Sequence, residues 1–303
     1  MNSFTKTKNI LSKVYDNILN LKYDNQFSLK TNSSVQLINM EVESESIVHA
    51  RHYQATHYRL FFKIMNQLNL PWNKFNFIDF GSGKGRCLLM ASMLGFKEVI
   101  GIEFAKDLCE VAKKNKLSLL YKVAKKKSEQ KKSTIVFSFT QEIKLSNNFI
   151  SLIDIELGKS KKKSYWGQKN KNKEFISFGE IFSLNTDNLD KSFINLNIEK
   201  IINNNIDFNE TKQNNIPMFI GGQNFDINKT NIDIWRKYKS INYQIPEILI
   251  LKSDSQTTIT FFNLTNQPFN FIYSKCYDYY KAIEDYSSNQ KKSKMILKSE
   301  GIK

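Results

Sequence analysis

Asp79, Gly81, Ser82, Gly83, Gly85 and Glu103 carry the most specific chemistry in this 303-residue sequence. An apolar run, Phe77-Ile78-Asp79-Phe80, ends in an acid and passes into Gly81-Ser82-Gly83-Lys84-Gly85-Arg86. A second apolar run, Val99-Ile100-Gly101-Ile102, ends in Glu103, which lies 18 residues after Gly85. The pattern predicts a strand, a glycine turn, a helix and a second parallel strand. In such a unit a nucleoside-containing ligand lies across the carboxyl ends of the two strands. Glycine permits the sharp turn and lets a ligand lie against the backbone. The amide N–H groups of the turn and of the following helix end favour polar or anionic groups. An acid at the end of the second strand can accept hydrogen bonds from ribose hydroxyls.

The glycine spacing separates the cofactor classes. Gly81, Gly83 and Gly85 form G-x-G-x-G rather than the G-x-G-x-x-G of nicotinamide and flavin sites. Arg86 and Cys87 follow Gly85 where a nucleoside-triphosphate loop needs Lys and then Ser or Thr.

These two motifs resemble those of class I S-adenosylmethionine-dependent methyltransferases, in the group whose first motif reads Asp-x-Gly-Ser-Gly-Lys-Gly-Arg. The resemblance covers about residues 45–117 and implies S-adenosyl-L-methionine as cofactor. It further implies that Asp79, Gly81, Ser82, Gly83 and Gly85 surround the methionine end and that Glu103 holds the ribose. Tyr53-Gln54-Ala55-Thr56, followed by an apolar helix from Leu60, is similar to the segment that covers the cofactor in that group. Tyr53 therefore joins the expected cofactor-binding set. The methyl acceptor, whether a small molecule or a protein, is not specified.

The elements that must position these residues follow from periodicity and breakers. A helix is expected near Ile10–Leu19 and another over 46–68, ended by Pro71. Helices are also expected over 86–95, stopped by Gly95, and from 105 to 115. The stretch Lys113–Lys132 is one of two lysine-rich runs that contribute to a formal net charge of +16. Its lysines are not interleaved with aromatics, so both runs read as solvated linker or loop in preference to a nucleic-acid surface. After this point the strand carrying an adenine-binding acid is not legible. Asn266-Gln267-Pro268-Phe269 is the nearest approach to an acceptor-site motif, and an ordinary turn explains it better.

From about residue 134 the pattern changes to runs with strand character: 174–180, 218–222, 247–251 and 257–262. The last two are joined by a hairpin-like connection, Lys252–Gln256. This predicts a mainly antiparallel α+β module. Tyr165-Trp166-Gly167, Phe178-Gly179-Glu180, the run Pro217–Asp226, Trp235 and Ile245-Pro246-Glu247 resemble, in order and spacing, the amino-terminal region of isochorismate synthases and other chorismate-utilising enzymes. The resemblance spans about 134–265. The family's catalytic residues lie in a carboxyl-terminal domain that is not matched here. No residue of this chain takes on that chemistry, and isochorismate synthase activity from this chain alone is not expected. A separate chorismate-binding domain is the partner that the resemblance implies.

The expected organisation is thus an α/β Rossmann-like methyltransferase unit at 1–117, a basic linker at 118–133 and an α+β module at 134–303. An apolar content of 41% supports real cores. No run approaches the roughly 18 apolar residues of a membrane helix, and the amino terminus lacks a secretory pattern. Three scattered cysteines suit a cytoplasmic or stroma-like reducing compartment. His49, His52 and His57 lack metal-site spacing.

Overall fold

The computed structural model describes residues 16–36, 52–145, 149–155, 162–168, 173–187, 191–209, 211, 219–223, 239–253 and 256–300. The chain divides into two compact units, Met1–Val123 and Ala124–Lys303.

In the first unit, helix α1 covers 16–27; the earlier part of the helix expected near Ile10–Leu19 lies outside the described residues. Helix α2 (Tyr58–Leu68) ends at Asn69, which adopts the left-handed conformation two residues before Pro71. The expected helix over 46–68 therefore begins only at Tyr58. Its described predecessors are extended, because Tyr53 pairs its backbone N–H and carbonyl with Val35.

Strand β1 (Asn76–Phe80), helix α3 (Arg86–Leu94) and strand β2 (Glu98–Ile102) follow as expected. Gly95 caps α3 at φ +82°. The two strands pair in parallel, with Phe77 opposite Val99, Asp79 opposite Gly101 and Phe80 opposite Ile102. One face of this pair supplies Phe77 and Val99 to a core built on Tyr58, Phe61, Met90 and Ala91. Phe61 meets Phe77 edge-on at 5.9 Å. Burial of each large member of this cluster contributes about 1.5–3 kcal/mol.

Among the described residues β1 and β2 pair only with each other. The β-α-β unit is present, and no described strand after residue 134 extends its sheet.

Helix α4 runs from Lys106 to Lys131. Most of the stretch expected as a linker, 118–133, is thus helix, and the division between the units falls inside it. The cause is composition: residues 106–131 contain no Gly or Pro and are rich in Lys and Leu, both good helix formers. The helix also has buried positions at Leu117, Ser118 and Ala124.

The second unit is built on a six-stranded sheet in the order β4-β5-β10-β11-β3-β7. Its strands are β3 (Val136–Glu142), β4 (Lys163–Gln168), β5 (Lys173–Phe178), β7 (Ile206–Asn209), β10 (Ile248–Ser253) and β11 (Gln256–Leu264). Every neighbouring pair is antiparallel except β3–β7. β10 and β11 form the expected hairpin, with Ser253 opposite Gln256. A second sheet joins β6 (Phe182–Thr186), β9 (Ile241–Ile245) and β8 (Ile220–Gln223).

Helix α5 (Lys191–Ile202) precedes β7, and helix α6 (Phe269–Glu300) follows β11. Val136, Ile245, Leu249 and Phe262 centre a core shared by residues of both sheets. The fold is therefore mixed α/β with antiparallel sheets in its second unit. No described helix is long and apolar enough to cross a membrane.

Candidate functional site

Strand β1 delivers Asp79 to its carboxyl end, and the chain then turns through Gly81, Gly83 and Gly85, at φ +75°, +53° and +79°. Side chains rarely adopt these angles, so the turn needs glycine. The Gly81 and Ser82 amides both donate to the Ile102 carbonyl, at 2.7 and 3.1 Å, which ties the turn to the end of β2. The Gly85 amide donates to the Ser82 carbonyl at 2.9 Å. Ser82 is buried, and a Cβ at Gly101 would come within 2.8 Å of its Oγ.

Glu103 lies just past β2. Its Oε2 accepts from the Gly83 amide at 2.7 Å, and its Oε1 accepts from the Phe104 and Ala105 amides, both at 2.9 Å. Burial raises the Asp79 carboxyl above its usual range; a hydrogen bond from the Cys87 thiol opposes the rise, and the Glu103 charge adds to it.

These partners change the electrostatic reading of the turn. The amides of Gly81, Ser82, Gly83 and Gly85 all have internal acceptors. They do not form an open cradle for a phosphate. Asp79 and Glu103 instead give the site negative character, which suits a ligand with cationic centres and a ribose diol. These acceptor groups fit S-adenosyl-L-methionine, whose sulfonium and ammonium are cationic.

Tyr53 lies over the turn. A Cβ at Gly83 would strike its ring. The Tyr53 hydroxyl donates to the Thr31 carbonyl at 3.0 Å, and burial pushes its pKa upward. All seven residues expected in the site are therefore gathered at the carboxyl end of the β1–β2 pair.

The basic residues of the motif face elsewhere. Lys84 Nζ donates to the Ser33 carbonyl at 2.7 Å and to Ser33 Oγ at 2.6 Å. Arg86 is buried against Asp24, Thr31 and Thr56. The Asn115 side chain bridges the Lys84 carbonyl and the Lys30 amide. Sequence reasoning missed Asp24, Thr31, Ser33 and Asn115. They sit in polar stretches with no local signal. Arg86, quoted in the motif without a role, was the available clue.

In the second unit the segments that carry the chorismate-enzyme resemblance fall on defined elements. Tyr165-Trp166-Gly167 lies in β4, Phe178 ends β5, and Glu247 precedes β10. Gly179, at φ +68°, leaves room for Glu247, whose Oε2 would lie 2.5 Å from a Cβ there. Glu247 Oε2 accepts from the Tyr279 hydroxyl at 2.9 Å. Of the Pro217–Asp226 run only Phe219–Gln223 is described; Trp235 and His49 also lie outside the described residues. Asn266-Gln267-Pro268 lies in the turn between β11 and α6, which Phe269 opens, with the Gln267 amide donating to the Leu264 carbonyl.

Residues 121–301 match the family model described as chorismate binding enzyme, more than half of the chain. The chain belongs to that family. Residues 35–153 match a second model, described as histone methylation protein DOT1. The two resemblances read from the sequence, to S-adenosylmethionine-dependent methyltransferases and to chorismate enzymes, are both borne out. Among solved structures, the chain is similar to MenF, the menaquinone-specific isochorismate synthase from Escherichia coli, at 12% identity and a TM-score of 0.29. That similarity covers 50% of this chain and 28% of the MenF chain. No curated protein matches it.

Proposed function

We propose that the first unit of this chorismate-binding-family protein binds S-adenosyl-L-methionine and transfers its methyl group to an acceptor not yet identified. The observation that carries this reading is the convergence of Asp79, the Gly81–Gly85 turn and Glu103 at the ends of a parallel strand pair. The match of residues 35–153 to a methyltransferase family supports it. The cofactor supplies an activated methyl on its sulfonium. Asp79 offsets the positive charge near the methionine end, Glu103 accepts from the ribose hydroxyls, and Gly81, with no atom within 4 Å of where a Cβ would stand, lets the ligand lie on the backbone. Tyr53 covers the turn and excludes water. Catalysis then rests mostly on positioning.

Isothermal calorimetry with S-adenosylmethionine and S-adenosylhomocysteine tests this reading. Binding that disappears in Asp79→Ala is expected, and absence of binding to the unaltered chain rejects it. The second matching family, histone methylation protein DOT1, makes histones the first protein acceptor to try.

A second reading concerns the second unit and is favoured by its family match and by its separate sheets. In that reading the unit is a non-catalytic relative of the isochorismate synthase amino-terminal region, acting with a separate chorismate-binding domain. Isochorismate formation only when such a domain is added would support it. Isochorismate formation by this chain alone would exclude it.

A further inference from the structure

Tyr53 is held over the glycine turn by Lys84 from within the turn and, from outside it, by Val35 and Thr31, and Thr31 is in turn held by one buried ion pair. Arg86 opens α3 with its side chain 1% exposed, and it faces Asp24, whose side chain is 6% exposed, at 3.4 Å. Arg86 Nε donates to Thr31 Oγ1 at 2.7 Å, and Nη1 donates to the Thr56 carbonyl at 3.2 Å. The guanidinium also lies 4.8 Å from the centre of the Tyr58 ring. Asp24 accepts from the Thr31 amide at 3.1 Å, Thr31 Oγ1 at 2.6 Å, the Asn32 amide at 2.9 Å and the Tyr58 hydroxyl at 3.1 Å.

Thr31 is fully buried. Its hydroxyl has one proton to give, which goes to Asp24, and it receives one from Arg86. The residue is therefore fixed on both sides by the charge pair. Its own carbonyl then accepts from the Tyr53 hydroxyl. The Tyr53 backbone is paired with Val35. Its ring lies against Gly83, with the Lys84 ammonium 5.1 Å from the ring centre. A continuous line of contacts thus runs from Asp24 and Arg86 through Thr31 to Tyr53 and the turn.

We infer that Asp24, Arg86 and Thr31 are positioning residues. They fix the Tyr53 ring against Gly83 and so set how tightly the turn holds its ligand. The link to ligand affinity rests on the S-adenosylmethionine reading; the positioning itself does not.

The experiment uses the full chain, with S-adenosylhomocysteine as probe and the Gly83 amide resonance as a second readout, since an aromatic ring against that amide displaces its chemical shift. Thr31→Val removes the hydroxyl and keeps the shape; Thr31→Ser restores the hydroxyl; Tyr53→Phe removes only the group that Thr31 holds. These three changes remain informative if Asp24→Asn and Arg86→Lys fail to fold. Thr31→Val and Tyr53→Phe are expected to weaken the probe by about tenfold, the scale of one lost buried hydrogen bond. Thr31→Ser is expected to bind within about threefold of the unaltered chain. The Gly83 shift should move in Thr31→Val toward its value in Tyr53→Ala, and should not move in Thr31→Ser.

An unmoved Gly83 shift in folded Thr31→Val overturns the positioning role, whether or not the probe binds. A moved shift with unchanged affinity overturns its link to the ligand. Failure of the unaltered chain to bind the probe overturns the cofactor reading and leaves the shift to decide the positioning.

Discussion

In the second unit, Ile248, Leu249 and Ile250 on β10 and Ile259 on β11 are all 0% exposed, so the central hairpin is covered on both faces. In the first unit, the parallel pair β1–β2 leaves Ile78 50% and Phe80 76% exposed on the face away from its core. Parallel strands are ordinarily buried on both faces, and two strands alone are marginal. The first unit is therefore held less by its sheet than by the aromatic cluster around Tyr58 and by the buried Asp24–Arg86–Thr31 network. A sheet carries the second unit, while packing from one side and a polar hub carry the first. The site read from the sequence sits on the second kind of support.

Breaking each support should harm one unit only. Arg86→Leu leaves Asp24 buried and unpaired, which is expected to destabilise the first unit by about 3–5 kcal/mol. Hydrogen exchange during urea unfolding should show the loss in α2, β1 and α3 and none in β10 and β11. Equal loss in both units would dissolve the contrast. Leu249→Ala should do the reverse, removing about 3 kcal/mol from the second unit by leaving a cavity. Amide exchange in residues 77–86 should stay unchanged.

Gly83→Ala should cost the first unit about 1–2 kcal/mol through its positive φ and also push the Tyr53 ring away. Calorimetry should then register loss of S-adenosylhomocysteine binding with the fold retained by circular dichroism.

How much of this was legible depended on sequence distance. The turn, Asp79, Glu103, α3 and its Gly95 stop were legible because each is a local pattern. So was the β10–β11 hairpin, whose strands are joined by a few residues. The polar hub was not legible, because Asp24 lies 62 residues from Arg86 and sits in a polar stretch with no periodic signal. The lysine run has the charge of a linker, but it has no helix breaker between Lys106 and Lys131, and helix propensity outweighs the charge there. The order of the six-stranded sheet was hidden for the same reason as the hub. The buried Thr140 and Thr260 hydroxyls, for example, meet at 2.9 Å across 120 residues.

Two smaller effects sharpen the contrast through titration and reactivity. Asp79 is more easily protonated in the folded chain than in the unfolded one, through burial first and the Glu103 charge second, with the Cys87 hydrogen bond opposing. Its contribution to the stability of the first unit is full below the ordinary carboxylate pKa and is lost as pH rises through the higher folded value. Asp79→Asn should flatten that pH dependence in urea melts. Over the same window S-adenosylmethionine affinity should rise as Asp79 ionises. Affinity that falls there would reverse its assigned role.

The Cys276 thiol, on α6 in the second unit, is pushed up to about 12 by burial, with Lys275 and Asn263 opposing. Alkylation at neutral pH, followed by mass spectrometry, should modify the half-buried Cys109 first and Cys276 last. Early modification of Cys276 would mean that α6 is less firmly seated than the sheet beneath it.

Hydrogen exchange of the full chain with and without S-adenosylhomocysteine tests the central claim most directly. The account predicts added protection in residues 53–56, 79–86 and 103–109, with β10 and β11 unchanged. No added protection in those three segments, or protection confined to the second unit, would contradict it.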